Sequence, residues 1–369
     1  MKKKIVLTGG HAVTTALAVI EELAKKGGRE SFWDIYWIGV RKAVEGKKVP
    51  TLEAAVFPKM GISFHPIFAG RLQRKFGFWT IPSLIKIPIG FLHALVLLLK
   101  IRPQIIVSFG GFAAFPVVLV GWFLKIPVII HEQTAAVGRA NKFSAPFARK
   151  IAIARPESIK FFPRKKCVLV GNPVLPEIIE VPPKDKPGDP ATIYITGGSR
   201  GAQSINKVVE EILEELLKKF IVVHQTGFLD FEKFKELKNS LSQDLSKNYE
   251  VYSIIDPTEI DGVYRRADIV ISRAGANTVS EIVLVKRPAI FIPLPFSFQD
   301  EQTKNAQYAK RQGIARVLKQ KDLTADKLLS EIKEVYENWE KIVKSIKIKP
   351  NPDIKAASRL VDLIEEIAK

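Results

Sequence analysis

Cysteine and histidine are scarce in this chain of 369 residues, which has one cysteine, Cys167, and five histidines. A single cysteine excludes a disulfide framework and a cysteine-rich metal site. The opening residues, MKKKIVLTGGH, begin with basic side chains but lack the apolar run of a signal peptide. Together these absences predict a reducing, cytoplasmic compartment.

Several common ligand-binding signatures are also missing. The chain has no GxGxxG fingerprint, no Walker loop and no Asp-x-Asp triplet, which argues against NAD, nucleoside triphosphate hydrolysis and a metal held by paired aspartates. No recognised nucleic-acid-binding motif is present either. We therefore expect no cofactor, no bound metal and no nucleic acid partner.

Acidic residues are scarce only in the first half of the chain. Residues 1–170 hold 27 Lys and Arg against 8 Asp and Glu, whereas residues 171–369 hold 30 against 30. The whole net charge of +19 therefore lies in the first half. A basic bias of the source proteome would reach both halves, so the asymmetry favours an anionic partner, with simple solubility as the alternative.

Uninterrupted hydrophobic runs are missing as well. Residues 81–99 have the length of a membrane span but are interrupted by Pro82, Lys86, Pro88 and His93. We predict a loop over 71–89 and a mostly buried helix over 90–100. The loop mixes basic and aromatic side chains, which favours contact with an anionic bilayer surface over nucleic acid. The candidate membrane residues are Arg71, Arg74, Lys75, Phe76, Phe78 and Trp79.

Short apolar runs alternate with helical patterns, which predicts parallel sheets built from βαβ units. A strand, Thr-Gly-Gly and a helix open the chain at KKIVLTGG and recur at ATIYITGG. We predict an α/β protein of two Rossmann-like domains whose parallel sheets face each other across a cleft. The predicted parts are a basic domain over 1–170, a proline-rich linker over 171–191, a second domain over 192–350 and a C-terminal helix over 351–369 that packs back toward the first domain.

Four turns that contain glycine follow predicted strands and open helices. Ligands of parallel sheets bind at the carboxyl ends of the strands, and helix N-termini favour anions. One such turn is ordinarily no more than a tight turn, but four in both halves favour a nucleotide or phosphate ligand. The turns span Thr8–His11, Ser108–Phe112, Thr196–Ala202 and Ser272–Glu281.

These turns, together with IPVIIHEQ, VGNPV, HQTG and DEQTKNA, resemble the MurG family over nearly the whole chain. Each motif is weak alone, but their number, order and spacing make the match specific. The resemblance implies the glycosyltransferase-B fold and inverting transfer of N-acetylglucosamine from its UDP derivative (UDP-GlcNAc) to lipid I. Lipid I is an undecaprenyl-pyrophosphate-linked muramyl pentapeptide, and the product is lipid II of peptidoglycan synthesis. The resemblance also implies a peripheral place on the cytoplasmic membrane face and is compatible with partners among cell-wall synthesis proteins.

On the donor side, the resemblance assigns the ribose hydroxyls to Glu281 and the uracil to the backbone of Ile255. It assigns the pyrophosphate to the third turn and to the helix after Ser272. Gln302 and Asn305, and less directly Glu301, match the segment that holds the donor sugar. Without the resemblance, Glu281 would be interpreted as a solvated helix residue. The donor set comprises Gly197, Gly198, Ser199, Arg200, Gly201, Ile255, Ala274, Gly275, Thr278, Glu281, Gln302 and Asn305.

On the acceptor side, the resemblance makes His11 the candidate catalytic base, and histidine titrates near neutral pH. His131 is the alternative base or a residue that positions the acceptor. Gly110 and Gly111 match the loop that cradles the lipid pyrophosphate. The acceptor set comprises Thr8, Gly9, Gly10, Gly110, Gly111, His131, Glu132 and Thr134.

The first glycine turn, with Leu7 near the place of its leading glycines, and three single positions depart from the family pattern. Thr134, Leu175 and Arg200 stand where asparagine, arginine and glutamine are usual. One hypothesis is that Arg200 supplies the charge missing at Leu175. Three other functions stay open: a transferase of the same fold that acts on another lipid such as diacylglycerol, a UDP-GlcNAc 2-epimerase, and a non-enzymatic scaffold on the membrane surface.

Overall fold

The computed structural model describes residues 2–10, 12–26, 32–42, 50–69, 80–198, 201–346 and 351–369, with the backbone alone for 80–86. The chain forms two compact units, one of Met1–Leu175 with Pro352–Lys369 and the other of Pro176–Asn351. Each unit is built on one parallel sheet covered by helices, which confirms the predicted α/β class.

In the described residues, the first unit has seven strands and five α-helices before its C-terminal segment. The strands are β1 Lys3–Thr8, β2 Trp33–Gly39, β3 Ser63–Pro66, β4 Ile105–Ser108, β5 Val128–Glu132, β6 Lys150–Ile153 and β7 Cys167–Leu169. The helices are α1 Val13–Lys26, α2 Leu52–Val56, α3 Thr80–Ile101, α4 Ala114–Phe123 and α5 Arg139–Ser144. The strands are all parallel in the order β3-β2-β1-β4-β5-β6-β7, and the central ones are continuous apolar runs because helices cover both faces.

The second unit repeats this plan, with six strands over the ranges that the structure describes. They are β8 Ala191–Thr196, β9 Phe220–Gln225, β10 Tyr249–Tyr252, β11 Ile269–Ser272, β12 Ala289–Phe291 and β13 Ala315–Val317. Its helices are α6 Pro176–Ile179, α7 Gln203–Leu217, α8 Phe231–Ser240, α9 Gln243–Ser246, α10 Ile260–Arg266, α11 Ala276–Val285, α12 Glu301–Arg311, α13 Ala325–Glu337 and α14 Trp339–Lys344. The parallel order is β10-β9-β8-β11-β12-β13.

The strand order reverses once in each sheet, between β1 and β4 and between β8 and β11. At such a point the loops leave in opposite directions and open a crevice at the carboxyl ends of the strands. Thr8 pairs with Ser108, and Thr196 pairs with Ser272. The register therefore brings the turns together in pairs, the first with the second and the third with the fourth.

The last helix, α15 Ala356–Ile367, belongs to the first unit and packs against α1. Just before it, both oxygens of the buried Asp353 carboxylate accept from the Arg155 guanidinium at 2.7 Å. Oδ1 of Asp353 also accepts from the backbone N–H of Asn172 at 2.8 Å. The chain passes between the units at Leu175 and Pro176, within the segment predicted as a linker.

The prediction for the long apolar segment was wrong in part. Residues 80–101 form one helix, α3, where a loop had been expected up to residue 89. Pro82 lies in the first turn, where backbone N–H groups have no helical partner, so a residue without an N–H costs no helical hydrogen bond there. Pro88 lies inside the helix and removes one hydrogen bond, but Ala94, Leu97, Leu98 and Ile101 anchor the following turns in the core.

The predicted helix over 90–100 was also expected to be mostly buried, but only one of its faces is. Within the described part of the chain, no helix is long and apolar enough to cross a membrane. The six candidate membrane residues between 71 and 79 lie outside the described residues.

Candidate active site

The first and second turns touch each other at the end of β1 and β4. Gly111 has φ +89°, and a Cβ atom placed on it would lie 2.9 Å from the backbone nitrogen of Gly10. A side chain there would force the two turns apart, so glycine is required both for the conformation and for the close approach. Thr8, at the end of β1, donates its hydroxyl to the carbonyl of Ile38 and is fully buried.

The carboxylate of Glu132 holds the loop between β5 and α5. Oε1 accepts from the backbone N–H and hydroxyl of Thr134 at 3.2 and 2.8 Å, and Oε2 accepts from Gly138 N and Asn141 Nδ2 at 2.9 and 3.0 Å. Burial raises the pKa of Glu132, and these four donors oppose that rise. Thr134 completes the loop by accepting from Ala136 N, so the departure from the family pattern at this position is accommodated.

His131 is completely buried, and its Nε2 lies 3.0 Å from the carbonyl oxygen of Gly171. Its ring meets the edge of Phe109 at a centroid distance of 6.0 Å. Burial lowers the pKa of His131 to about 4, so the ring is neutral at pH 7 and Nε2 donates. This geometry supports a positioning role for His131 and gives no support to its alternative role as a base.

The candidate base His11 lies outside the described residues, as do Ser199 and Arg200 of the donor set. The residue after His11 is described: Ala12 donates its backbone N–H to Oε1 of the buried Glu53 at 3.3 Å. Glu53 thereby anchors Ala12, the residue that precedes α1 and follows the candidate base in the sequence. Leu175, the other partner in the Arg200 hypothesis, is a buried core residue of the first unit.

In the second unit, the third turn is closed by short hydrogen bonds. Gly198 N donates to Thr196 Oγ1 at 2.9 Å, and Gly201 N donates to the carbonyl of Gly198 at 3.0 Å. Gly201 has φ +73°, and a Cβ atom on it would lie 2.3 Å from the carbonyl oxygen of Thr226. Gly197 is as tightly packed, since a Cβ atom there would lie 2.2 Å from the nitrogen of Ala202.

Gln225, at the end of β9, joins the third turn to the predicted uracil position. Its Nε2 donates to the carbonyl of Gly198 at 3.0 Å, and its Oε1 accepts from the backbone N–H of Ile255 at 3.1 Å. The hydroxyl of Tyr194 also lies 3.5 Å from this Oε1. Gln225 therefore fixes the distance between the third turn, which is assigned to the pyrophosphate, and Ile255, which is assigned to the uracil.

Glu281 lies in the second turn of α11 and is buried, not solvated. The hydroxyl of Tyr264 donates to its Oε2 at 2.9 Å. Burial raises the pKa of Glu281 to about 7, and the Tyr264 hydrogen bond opposes the rise. A buried carboxylate beside a ligand turn fits the assigned ribose contact better than an ordinary surface glutamate does. Gly275 is the N-cap of α11, Ala274 precedes it, and Thr278 is the third residue of the helix.

The remaining donor residues lie at the start of α12. Gln302 Oε1 accepts from the backbone N–H of Leu294 at 3.0 Å, and Asn305 Nδ2 donates to the carbonyl of Ala274 at 3.2 Å. Asn305 thus ties α12 to the turn after β11, and Gln302 shapes the loop that precedes it. Glu301 is the first residue of α12.

Sequence reasoning missed three residues of this region: Gln225, Tyr264 and Arg273. Arg273 Nη1 donates to the carbonyl of Ile292, and Nη2 donates to Ser204 Oγ and Gln320 Oε1 at 2.7 Å. Its guanidinium therefore joins the ends of β11 and β12 to the first turn of α7. Only its place between Ser272 and Ala274, inside the fourth turn, could have drawn attention to it. Among the described residues, no group of three or more His, Cys, Asp or Glu is arranged to hold a metal ion.

Comparisons with known proteins agree with this architecture. Residues 7–153 match the family model of the glycosyltransferase family 28 N-terminal domain, and residues 192–366 match that of its C-terminal domain. The Acinetobacter baumannii MurG crystal structure has a TM-score of 0.66 at 24% identity and covers 99% of both chains. A UDP-GlcNAc 2-epimerase from Neisseria meningitidis, solved with UDP-GlcNAc, has a TM-score of 0.67 at 14% identity and covers 99% of this chain and 100% of its own. These two likenesses show the fold.

Two relatives carry the name UDP-N-acetylglucosamine–N-acetylmuramyl-(pentapeptide) pyrophosphoryl-undecaprenol N-acetylglucosamine transferase. The Clostridium tetani protein is 32% identical over 377 residues, covering 99% of this chain and 98% of its own. The Lachnoclostridium phytofermentans protein is 34% identical over 375 residues and covers 99% of both. The fold and the paired turns thus define a glycosyltransferase of family 28. Within that class, the chain belongs to the MurG family of N-acetylglucosamine transferases.

Proposed function

We propose that this enzyme transfers N-acetylglucosamine from UDP-GlcNAc to the 4-hydroxyl of the muramyl sugar of lipid I and so forms lipid II. The observation that carries the proposal is the match, over nearly the whole chain, to relatives named for this transfer. The paired turns at both points of strand reversal, with Glu281 beside the second pair, supply the kind of site that the reaction needs.

The donor nucleotide binds in the second unit. Backbone N–H groups of the third turn and the N-terminus of α11 receive the pyrophosphate, whose negative charge favours both. Glu281 accepts from the ribose hydroxyls and the backbone of Ile255 contacts the uracil. Gln302 and Asn305, with Glu301 beside them, hold the donor sugar. Gln225 supports this assignment because it joins the third turn to Ile255.

Transfer proceeds by a single inverting displacement without a metal. The acceptor hydroxyl attacks the anomeric carbon while His11 takes its proton, and the bond to the β-phosphate breaks with its electron pair on UDP. Fixed donors at the third turn stabilise the charge that develops on the leaving group. The absence of an Asp-x-Asp triplet from the sequence supports this route.

The first unit binds the acceptor. The turn at Gly110 and Gly111, which opens α4, receives the pyrophosphate of lipid I, and the Thr8–Gly10 turn lies against it. Glu132 and Thr134 shape the neighbouring loop through their mutual hydrogen bonds, and His131 holds the loop after β7.

Release of UDP from UDP-GlcNAc tests the reaction. We expect release to require lipid I and to continue unchanged in EDTA. Release with diacylglycerol in place of lipid I would identify the other transferase. Conversion of UDP-GlcNAc to its 2-epimer without any lipid would identify the epimerase, whose fold is shared. Loss of release in EDTA, restored by Mg²⁺, would contradict the metal-independent mechanism alone.

An exposed apolar stripe on α3 supports binding of the first unit to an anionic membrane surface. Ile89, Leu92, Val96 and Leu99 repeat at helical spacing on one side of α3, and Leu92 and Val96 are 65% and 62% exposed. Trp122 and Phe123, at the end of α4, are also exposed. An apolar surface on a strongly basic half-chain fits an anionic lipid surface, where apolar burial and charge attraction act together.

Replacing Leu92 and Val96 together by serine should weaken binding to vesicles that contain phosphatidylglycerol. The expected loss is about tenfold, because each apolar side chain removed from water contributes on the order of 1 kcal/mol when partly buried. Vesicle co-sedimentation measures it. Leu229→Ser, at a residue of the second unit that is 59% exposed, is the control and should leave binding unchanged. Equal binding by the double variant and the wild type would contradict the assignment.

A further inference from the structure

Tyr264 and Glu281 form a buried pair between two helices of the second unit. Tyr264 lies near the end of α10 and is 1% exposed, and its hydroxyl donates to Oε2 of Glu281 at 2.9 Å. Within the described part of the chain, Oε1 of Glu281 accepts no hydrogen bond. One oxygen of the carboxylate is therefore fixed by the protein, and the other is left for a further donor.

We infer that Tyr264 is a positioning residue for nucleotide binding: its hydroxyl fixes Oε2 of Glu281 so that Oε1 receives the ribose hydroxyls of the donor. The inference rests on the proposed function, in which Glu281 contacts the ribose. In this role Tyr264 does not contact the nucleotide. It determines how strongly the Glu281 carboxylate favours ribose over 2′-deoxyribose.

The surroundings of Tyr264 hold the pair at a fixed spacing. Its ring meets the edge of the Tyr194 ring at a centroid distance of 6.0 Å and an angle of 86°. The buried Arg287 donates Nε to the carbonyl of Tyr264 at 3.2 Å and Nη1 to the carbonyl of Val285 at 2.7 Å. These bonds tie the end of α10 to the end of α11, so the hydroxyl and the carboxylate keep their relative place.

The same hydrogen bond acts on the ionisation of Glu281. Burial raises the pKa of Glu281 to about 7, and Tyr264 lowers it. Tyr194, from β8, faces the pair as a neutral phenol whose own pKa is raised by burial. The other ionisable side chains on the helices that pack against α11 are Glu177 on α6 and Glu301, Lys304, Tyr308, Lys310 and Arg311 on α12.

The environment of Glu281 predicts the direction in which the affinity for UDP changes with pH. The carboxylate form of Glu281 accepts from the ribose hydroxyls more strongly than the protonated form does, so the affinity for UDP should fall as the pH drops below about 7. Without the Tyr264 hydroxyl the carboxyl holds its proton to higher pH. The fall should then begin at a higher pH in Tyr264→Phe than in the wild type.

Calorimetric titration with UDP and with 2′-deoxy-UDP tests the inference on the full chain. Tyr264→Phe should weaken UDP binding about tenfold at pH 7 but weaken 2′-deoxy-UDP binding much less, because a misaligned acceptor matters most when the hydroxyl is present. The loss for UDP should shrink at pH 9. Tyr249→Phe is the matched control, since it removes another buried phenol of the same unit, hydrogen-bonded to His224 at 3.0 Å, and should change neither affinity.

Two results would show that Tyr264 has a merely structural role and would overturn the inference. One is an equal loss of affinity for UDP and for 2′-deoxy-UDP in Tyr264→Phe; the other is the same loss of UDP affinity in Tyr249→Phe. A third variant, Glu281→Gln, distinguishes a wrong role of Tyr264 from a wrong ribose contact of Glu281. If Glu281→Gln alters the preference for UDP over 2′-deoxy-UDP but Tyr264→Phe does not, only the role of Tyr264 is wrong. If Glu281→Gln leaves that preference unchanged, the ribose contact itself is wrong and the inference fails with it.

Discussion

Replacing His11 by alanine is expected to lower the turnover of lipid I by about 100- to 10,000-fold, the usual contribution of a positioned general base. The binding of UDP-GlcNAc should stay near normal, because every residue of the proposed donor set belongs to the second unit. A histidine suits this step since its ordinary pKa lies close to the working pH. Steady-state turnover and calorimetric titration with UDP-GlcNAc measure the two effects separately.

The two buried histidines in the described part of the chain, His131 and His224, are poorly suited to the same role. His224 is fully buried between Tyr249 and Asn206, and burial lowers its pKa to about 3. Burial likewise lowers the pKa of His131 to about 4. A base that is enclosed and this weak accepts a proton poorly at pH 7, which strengthens the assignment to His11 by comparison.

His65→Ala is the control for the His11 variant. His65 lies on the edge strand β3 of the same unit, against the ring of Tyr36, and should leave turnover unchanged. The bond from Ala12 N to Glu53 does not involve the His11 side chain, so the start of α1 keeps that anchor in the variant. Turnover of His11→Ala within about threefold of the wild type would contradict the role of a general base.

The interior of both sheets and the edge strand β10 could be predicted from the sequence, but the other three edge strands could not. Central strands such as β1, β4, β8 and β11 are buried on both faces and therefore appear as continuous apolar runs bounded by turns. The three strands that the pattern did not predict, β3, β7 and β13, are short edge strands with half-exposed side chains. An edge strand needs only one buried face and one partner, so its pattern resembles that of a loop.

The error at residues 81–89 has a different cause. Two prolines, Pro82 and Pro88, favour a break in the local pattern. Whether a helix survives a proline depends on where its first turn begins and on the packing of the turns that follow. Both are tertiary properties of α3, set by the core against which residues 94–101 lie.

In the candidate site, too, short sequence motifs could be predicted, but contacts between residues far apart in the sequence could not. The glycine turns are local motifs, but their pairing follows from the strand order of each sheet, which only the structure gives. The partners of Glu281 and Glu132 do not follow from any spacing: Tyr264 reaches Glu281 from another helix, and Asn141 reaches Glu132 from the first turn of α5. Sequence reasoning could name the carboxylates, but only packing shows how each one is held.

Replacing Asp353 by alanine should have the largest effect on stability that the structure predicts. Asp353 and Arg155 are paired through two bonds of 2.7 Å, with side chains 0% and 6% exposed. Removing the carboxylate takes two charge-assisted bonds from the buried Arg155 guanidinium, which also donates to the carbonyl of Ala154, and one bond from the N–H of Asn172. A buried charge that loses its partner typically costs about 3 to 5 kcal/mol in the free energy of unfolding.

Urea unfolding followed by circular dichroism measures this loss, and a matched control lies on the same C-terminal segment. Asp362 pairs with Lys26 across α15 and α1, but its side chain is 63% exposed. Asp362→Ala should therefore change the free energy of unfolding by less than about 1 kcal/mol. If the two variants lose the same amount, the Asp353–Arg155 pair does not secure the C-terminal helix. The expected result is that only Asp353→Ala loses stability and that amide hydrogen exchange in α15 becomes faster in this variant. The buried Asp353–Arg155 pair then holds the C-terminal helix to the first unit.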